Sequence, residues 1–272
     1  MKGFNRRTLI KRSVGTVIGT TVVSGSSVAA ESNSSDEKGE DETIHGNMKV
    51  TDSDLSKAEF REKRSNNSGF SVQATAPDHD VDSEMIWVDA MTGEIDLSNA
   101  IRNDGKVETG LRVYRAPEKI NDSYIYMVLM DLQWKPDSGV GDHPWLKDQS
   151  MKFETDDYDI IFRDADPLGE LYKRERGYDV SVGATLPSGA GVSLGSTVYV
   201  KDGIQHCNRD LDQGGHYEMV FDGDDHQAYD PLTSVSVVDI QADEKFTGSS
   251  DITSNFDWDA EAHSNMDATR ND

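Results

Sequence analysis

Short apolar runs broken by turn clusters fill the middle of the chain, at residues 85–88, 94–100, 111–116, 124–134, 158–162, 178–186, 192–200, 217–221 and 234–241. Most alternate apolar and polar positions, the mark of half-buried strands, and none carries the 3.6-residue period of a long helix. Strand candidates in this number predict an all-β domain, an antiparallel β-sandwich of Greek-key or jelly-roll type. Residues 124–129 are apolar on both faces, as in a central strand, whereas Asp131 and Gln133 return one face to water.

The clearest hairpin lies at 178–200. Tyr178, Val180, Val182, Ala184 and Leu186 alternate with Asp179, Ser181, Gly183 and Thr185. After Pro187-Ser-Gly-Ala-Gly191, Val192, Leu194, Val198 and Val200 alternate with Ser193, Gly195 and Thr197. Such a hairpin covers one side of a sandwich core. Its arm length and small polar second face also resemble the inserting hairpin of a β-pore former.

The flanks read differently. Residues 31–83 are rich in Ser, Asn, Asp and Glu, and are expected to form a disordered acidic linker or propeptide. One short helix is placed there as an alternative to coil, capped at Asp52 or Ser53 and carrying Leu55, Ala58 and Phe60 through Arg64. Residues 246–272 are polar again, with Phe256 and Trp258 as anchors, and are expected to form a tail. The sandwich is therefore placed at 84–245.

Charge changes the picture of the environment. The chain holds 51 Asp+Glu against 27 Lys+Arg. Removing residues 1–30 takes five basic residues and no acidic one from the net charge of −24, leaving −29. Self-repulsion of that size is screened only when the Debye length falls to about 3 Å at molar salt. The composition resembles that of halophilic archaeal proteins. It also makes nucleic acid and anionic lipid poor partners, since binding either requires a basic surface.

Arg6-Arg7 heads a basic stretch, an apolar segment diluted by Gly and Thr follows, and Val28-Ala29-Ala30 ends it. This arrangement resembles a twin-arginine (Tat) signal peptide at 1–30 and implies export of a folded, secreted product. Cys207 is the single cysteine, so no intrachain disulfide is available. No later apolar run reaches the roughly 18 residues of a membrane-spanning helix, so no stable membrane anchor is expected. Asn33, Asn66 and Asn121 begin glycosylation sequons.

Several motifs carry candidate chemistry. Gly191-Val-Ser-Leu-Gly195 matches the nucleophile elbow of hydrolases, but Ser193 is followed by more strand instead of the helix that such a site needs. Three acidic turns offer oxygen ligands for calcium: Asp78 to Asp82 with Glu84; Asp164, Asp166 and Glu170 with Glu175; Asp222, Asp224 and Asp225 with Asp230. His206, Cys207, His216 and His226 are zinc-type residues at spacings that match no ligand pair. Trp134 and Trp145 bracket a loop holding Asp142 and His143, an arrangement that can stack on a sugar ring while polar groups bind its hydroxyls.

No pair of residues has catalytic spacing. The sequence therefore favours a carbohydrate-binding or cell-envelope interaction module over an enzyme. A pore former using the 178–200 hairpin, a hydrolase and a structural envelope protein stand as the alternatives.

Overall fold

The computed structural model describes residues 43–66, 84–137, 144–167, 178–198, 204–210, 214–222 and 231–266. The first elements are β1 (Ile44–Asn47), β2 (Lys49–Asp52), α1 (Lys57–Asn66), β3 (Ile86–Ser98), β4 (Asn103–Arg115) and β5 (Tyr124–Pro136). They are followed by β6 (Pro144–Glu154), β7 (Ile160–Asp166), β8 (Tyr178–Thr185), β9 (Gly191–Val198), β10 (Ile204–Asp210) and β11 (His216–Asp222). The chain continues through β12 (Leu232–Ala242), α2 (Ser249–Asn255) and β13 (Asp257–Met266).

Two antiparallel sheets pack face to face as a β-sandwich. The first has the order β1-β13-β6-β11-β10 and the second β2-β3-β4-β5-β12-β7. Strands β3, β4 and β5 form a meander whose turns explain its length. Asn99 accepts the amides of Ile101 and Arg102 through its own side chain at one end. At the other end Asn121 and Asp122 both take positive φ between the bridged residues Ile120 and Ser123, as a tight two-residue hairpin turn requires.

Between the sheets lie Leu111, Val128, Met130, Leu132, Trp134, Met151, Phe153, Tyr217, Met219, Phe221, Val238 and Ile240, all buried. The Gln149 side-chain amide donates to Ser234 Oγ at 3.0 Å, joining β6 of one sheet to β12 of the other. This bond fixes which face of β12 looks inward. Ser234, Ser236, Val238 and Ile240 share that face, and Val235, Val237 and Asp239 share the opposite one.

The flanking segments correct the domain limits of 84 and 245. Strand β13 lies between β1 and β6, inside the first sheet, with Ala260, Ala262 and Ser264 buried. Phe256 stacks on Phe153 at 4.7 Å and Phe246 on Tyr126 at 4.6 Å, so 246–266 closes one end of the core and is no tail. Upstream, β1 and β2 extend both sheets, so 43–66 is part of the fold. The helix in this segment forms, and its cap is Ser56, outside the expected pair. Ser56 and Glu59 satisfy each other's amides as a capping box, at 2.9 Å and 3.3 Å.

The second sheet keeps an outer face of its own, and two pieces cover it. Helix α1 lies over β3, β4 and β5. Phe60 rests on Gly110, where an added Cβ would stand 3.0 Å from the ring, and the Arg112 guanidinium lies 5.1 Å above the Phe60 centroid. Arg64 reaches down to Asp131, which also binds Arg112, and all three are buried. The other half of the face, over β12, β7 and β5, is covered by β8 and β9.

Candidate functional site

Strands β8 and β9 pair with each other from Tyr178↔Val198 to Thr185↔Gly191 and form a two-stranded sheet separate from both layers of the sandwich. The connection is short. Gly189 donates to the Leu186 carbonyl at 2.9 Å, with Pro187 preset for the turn and Gly189 at φ 86, where a side chain would be strained. Leu186 then donates to Ala190 at 2.8 Å, which lengthens each arm by one residue.

The two faces differ sharply. Val180, Val182, Ala184, Leu186, Val192 and Leu194 are buried. Ser181, Gly183, Thr185, Gly191 and Ser193 are exposed. Burying six such side chains is worth on the order of 10 kcal/mol, and it is the main force holding the hairpin down. No backbone ladder adds to it among the described residues.

Two hydrogen bonds locate the footprint. The Ser181 amide donates to Asp166 Oδ2 at 2.7 Å, and the Ser188 amide at the tip donates to Glu118 Oε2 at 3.2 Å. Asp166 is the register partner of Val237 on β12, and Glu118 belongs to the turn that leads into β5 beside Ala242. The outward residues of β12 between these points therefore lie beneath the hairpin.

One of them is Asp239. It is 1% exposed, its Oδ1 has no hydrogen-bond partner, and its nearest cation is Arg163 at 3.8 Å. Burial pushes its pKa up to about 7, with Arg163 opposing and Asp164 adding to the shift. Asp166 is also raised, first by burial and then by Asp164, although the Ser181 amide works against this. The floor of the docked hairpin thus contains carboxylates that are poorly compensated as anions.

The residues singled out in the sequence are placed as follows. Trp134 is 0% exposed in β5 and Trp145 is 8% exposed in β6. Both indoles belong to the core, which corrects the expected sugar-stacking platform; Asp142 and His143 lie outside the described residues. The calcium candidates Asp164 and Asp166 lie on β7, bonded to the amides of Ala165 and Ser181, while Asp222 is exposed at the end of β11. Glu170, Asp224, Asp225 and the 78–82 run lie outside the described residues. Among the described residues no three His, Cys, Asp or Glu side chains converge to hold a metal.

Other candidates resolve similarly. His216 binds Glu154 at 3.2 Å, and His226 lies outside the described residues. Ser193 sits on the exposed face of β9, which continues as strand to Val198. Arg6 and Arg7 lie outside the described residues. A cleft of about 230 Å³ beside α1 is lined by Thr51, Asp52, Lys63, Arg64, Glu94 and Glu108, with the Lys63–Asp52 ion pair at 2.8 Å on its wall.

Two features were missed in the sequence. Asp239 reads as an ordinary surface acid and Asp166 as a calcium ligand, and only the fold puts both under the hairpin. The second was legible: Val180 to Val200 is a stretch of 21 residues with no Asp, Glu, Lys, Arg or His, flanked by Asp179 and Lys201.

No protein-family description and no curated protein matches the chain. Among solved structures it is similar to the Clostridium perfringens NetB toxin in the membrane inserted form, at 8% identity and a TM-score of 0.18, over 61% of this chain and 76% of that one. At that score the likeness establishes neither fold nor function.

Proposed function

We propose that this protein is a secreted, salt-adapted perforator of membranes whose β8–β9 hairpin leaves the sandwich and enters lipid. The observation that carries the reading is the uncharged 21-residue stretch, whose described part, up to Val198, folds as an amphipathic hairpin docked on the sandwich by one apolar face. In a chain with 29% charged residues, a surface segment of this length free of charge asks for an explanation that core packing alone does not give.

The energetics allow the transfer. Val180, Val182, Leu186, Val192 and Leu194 lose the sheet but regain apolar surroundings in hydrocarbon, so their burial is exchanged, not lost. With the Leu186–Ala190 pair each arm spans nine residues, the lower end of the roughly 9–11 that a tilted strand needs to cross a bilayer. The turn Pro187-Ser188-Gly189 that must cross first carries no charge.

A lone hairpin in lipid would leave its outer backbone groups unpaired, so the inserted form must close with hairpins of other copies into a barrel. Each copy gives two strands and the smallest such barrels have about eight, which sets a minimum of about four copies. Export by the twin-arginine route would deliver the folded, hairpin-docked form outside the cell. The strong negative charge directs it to neutral headgroups or to membranes in molar salt.

The test is dye release from phosphatidylcholine vesicles, and from vesicles of archaeal lipids, in molar NaCl with the mature chain. Release that scales steeply with protein concentration is expected. Intact vesicles of both kinds at micromolar protein would instead leave the hairpin a permanent cover of the sheet.

A further inference from the structure

The exposed face of the hairpin has a composition that the folded monomer does not require. Across the two strands Ser181 faces Gly195, Gly183 faces Ser193, and Thr185 faces Gly191, so every one of these pairs sets a glycine against a small hydroxyl residue. Glycine weakens a strand by leaving nothing to pack and by costing more chain entropy. Gly183 and Gly195 have a local reason, since an added Cβ would stand 3.3 Å from the Val192 carbonyl and 2.9 Å from that of Val180. Gly191 has none, for a side chain there would meet nothing within 4 Å.

The face also lacks charge, unlike the exposed positions of other strands. On β13, for example, Asp257, Asp259 and Glu261 are exposed. An acidic, salt-adapted surface gains nothing from a neutral patch of glycine and hydroxyl groups. A channel wall does. Once the apolar face turns to lipid, the alternate face must line the interior, and a barrel of few strands has so narrow an interior that large side chains would fill it.

We infer that the Ser181, Gly183, Thr185, Gly191 and Ser193 face becomes the uncharged wall of an open channel that, in molar salt, passes small hydrated solutes, monovalent ions of both signs and neutral polar molecules alike. Hydroxyls and backbone carbonyls replace part of each solute's hydration without favouring either sign, because no fixed charge lies along this wall from Ser181 to Gly195; Asp179, paired with Thr197, stands at its outer end, where molar salt screens it. The inference rests on the membrane reading proposed above and adds to it which face is wet and what crosses.

Planar phosphatidylcholine bilayers under a gradient of molar KCl test it. Channels of the wild type should show a reversal potential near zero. Ser193→Asp should favour cations several-fold and Ser193→Lys anions several-fold. A gentler variant guards against failure to fold or insert: Ser193→Cys with Cys207→Ser should form wild-type channels whose conductance drops when a charged thiol reagent is added from the aqueous side. Strong selectivity in the wild type overturns the inference, as does a Ser193→Cys channel indifferent to the reagent. Absence of channels at any concentration defeats the membrane reading itself, so the two failures are distinct.

Discussion

The Ser181 amide donates to the Asp166 carboxylate across 2.7 Å, tying the edge strand β7 of the sandwich to a hairpin that shares no backbone ladder with it. A hydrogen bond to a charged acceptor is worth about 1.5–3 kcal/mol, so this tie is a sizeable part of what resists undocking beyond apolar contact. Asp166→Ala should therefore raise hydrogen exchange of 178–198 by roughly tenfold or more. Exchange in β3, β4 and β5 should stay unchanged, and equal protection of the hairpin in both proteins would show that the bond contributes nothing.

Asp239 predicts a dependence on pH. Its folded pKa of about 7 lies above the ordinary carboxylate value, so the folded state binds this proton more tightly than the unfolded one. The stability tied to this group is fully present below about pH 4, falls by up to about 1.4 kcal/mol per pH unit as pH rises toward 7, and is flat above that. Hydrogen exchange of the hairpin should accordingly be faster at pH 7 than at pH 5 after correction for intrinsic rates. Asp239→Asn should remove most of that difference, leaving the smaller part that belongs to Asp166, whose raised pKa acts in the same sense. Glu154, held low chiefly by Lys152, pulls in the opposite sense only in stronger acid, and lies away from the footprint.

Helix α1 is held by a buried charge. Arg64→Ala would leave Asp131 with Arg112 but without its second cation, in a site closed to water. Breaking such a pair from one side costs about 3–5 kcal/mol. An unfolding free energy from chemical denaturation lowered by that amount is expected, and a loss under about 1 kcal/mol would mean that the helix adds little to the sheet.

Charge sets the solvent. With a formal charge of −29 after residues 1–30 are removed, the melting temperature should climb steeply from dilute to molar NaCl. Melting curves that are flat or that fall with salt contradict the proposed salt adaptation.

The all-β sandwich was readable because strands such as β5 announce themselves: 124–129 is apolar on both faces, and the hairpin alternates through nearly its whole length. Strand β13 did not, because its inward residues Ala260, Ala262 and Ser264 are too small to stand out among Asp257, Asp259 and Glu261. The first half of β4 was hidden for another reason. Lys106 and Glu108 look like solvent-facing residues, yet they pair with Glu94 and Lys135 across the neighbouring strands at 2.7 Å and 2.6 Å. The tryptophan loop misled because indoles at strand ends serve a core as readily as a ligand. What the hairpin rests on depends on strand order, which no local pattern encodes.

The central claim is that the hairpin must leave the sandwich to act, and a reversible staple tests it most directly. Ser188→Cys and Glu118→Cys, with Cys207→Ser, place thiols on the two residues joined at the hairpin tip. A disulfide-containing bismaleimide linker then holds the tip to the turn before β5. The stapled protein should release no dye from phosphatidylcholine vesicles in molar NaCl, and cleavage of the linker should restore release to the level of the unstapled variant. Equal release before and after cleavage would contradict the account, because a hairpin that never undocks could not then be the part that enters the membrane.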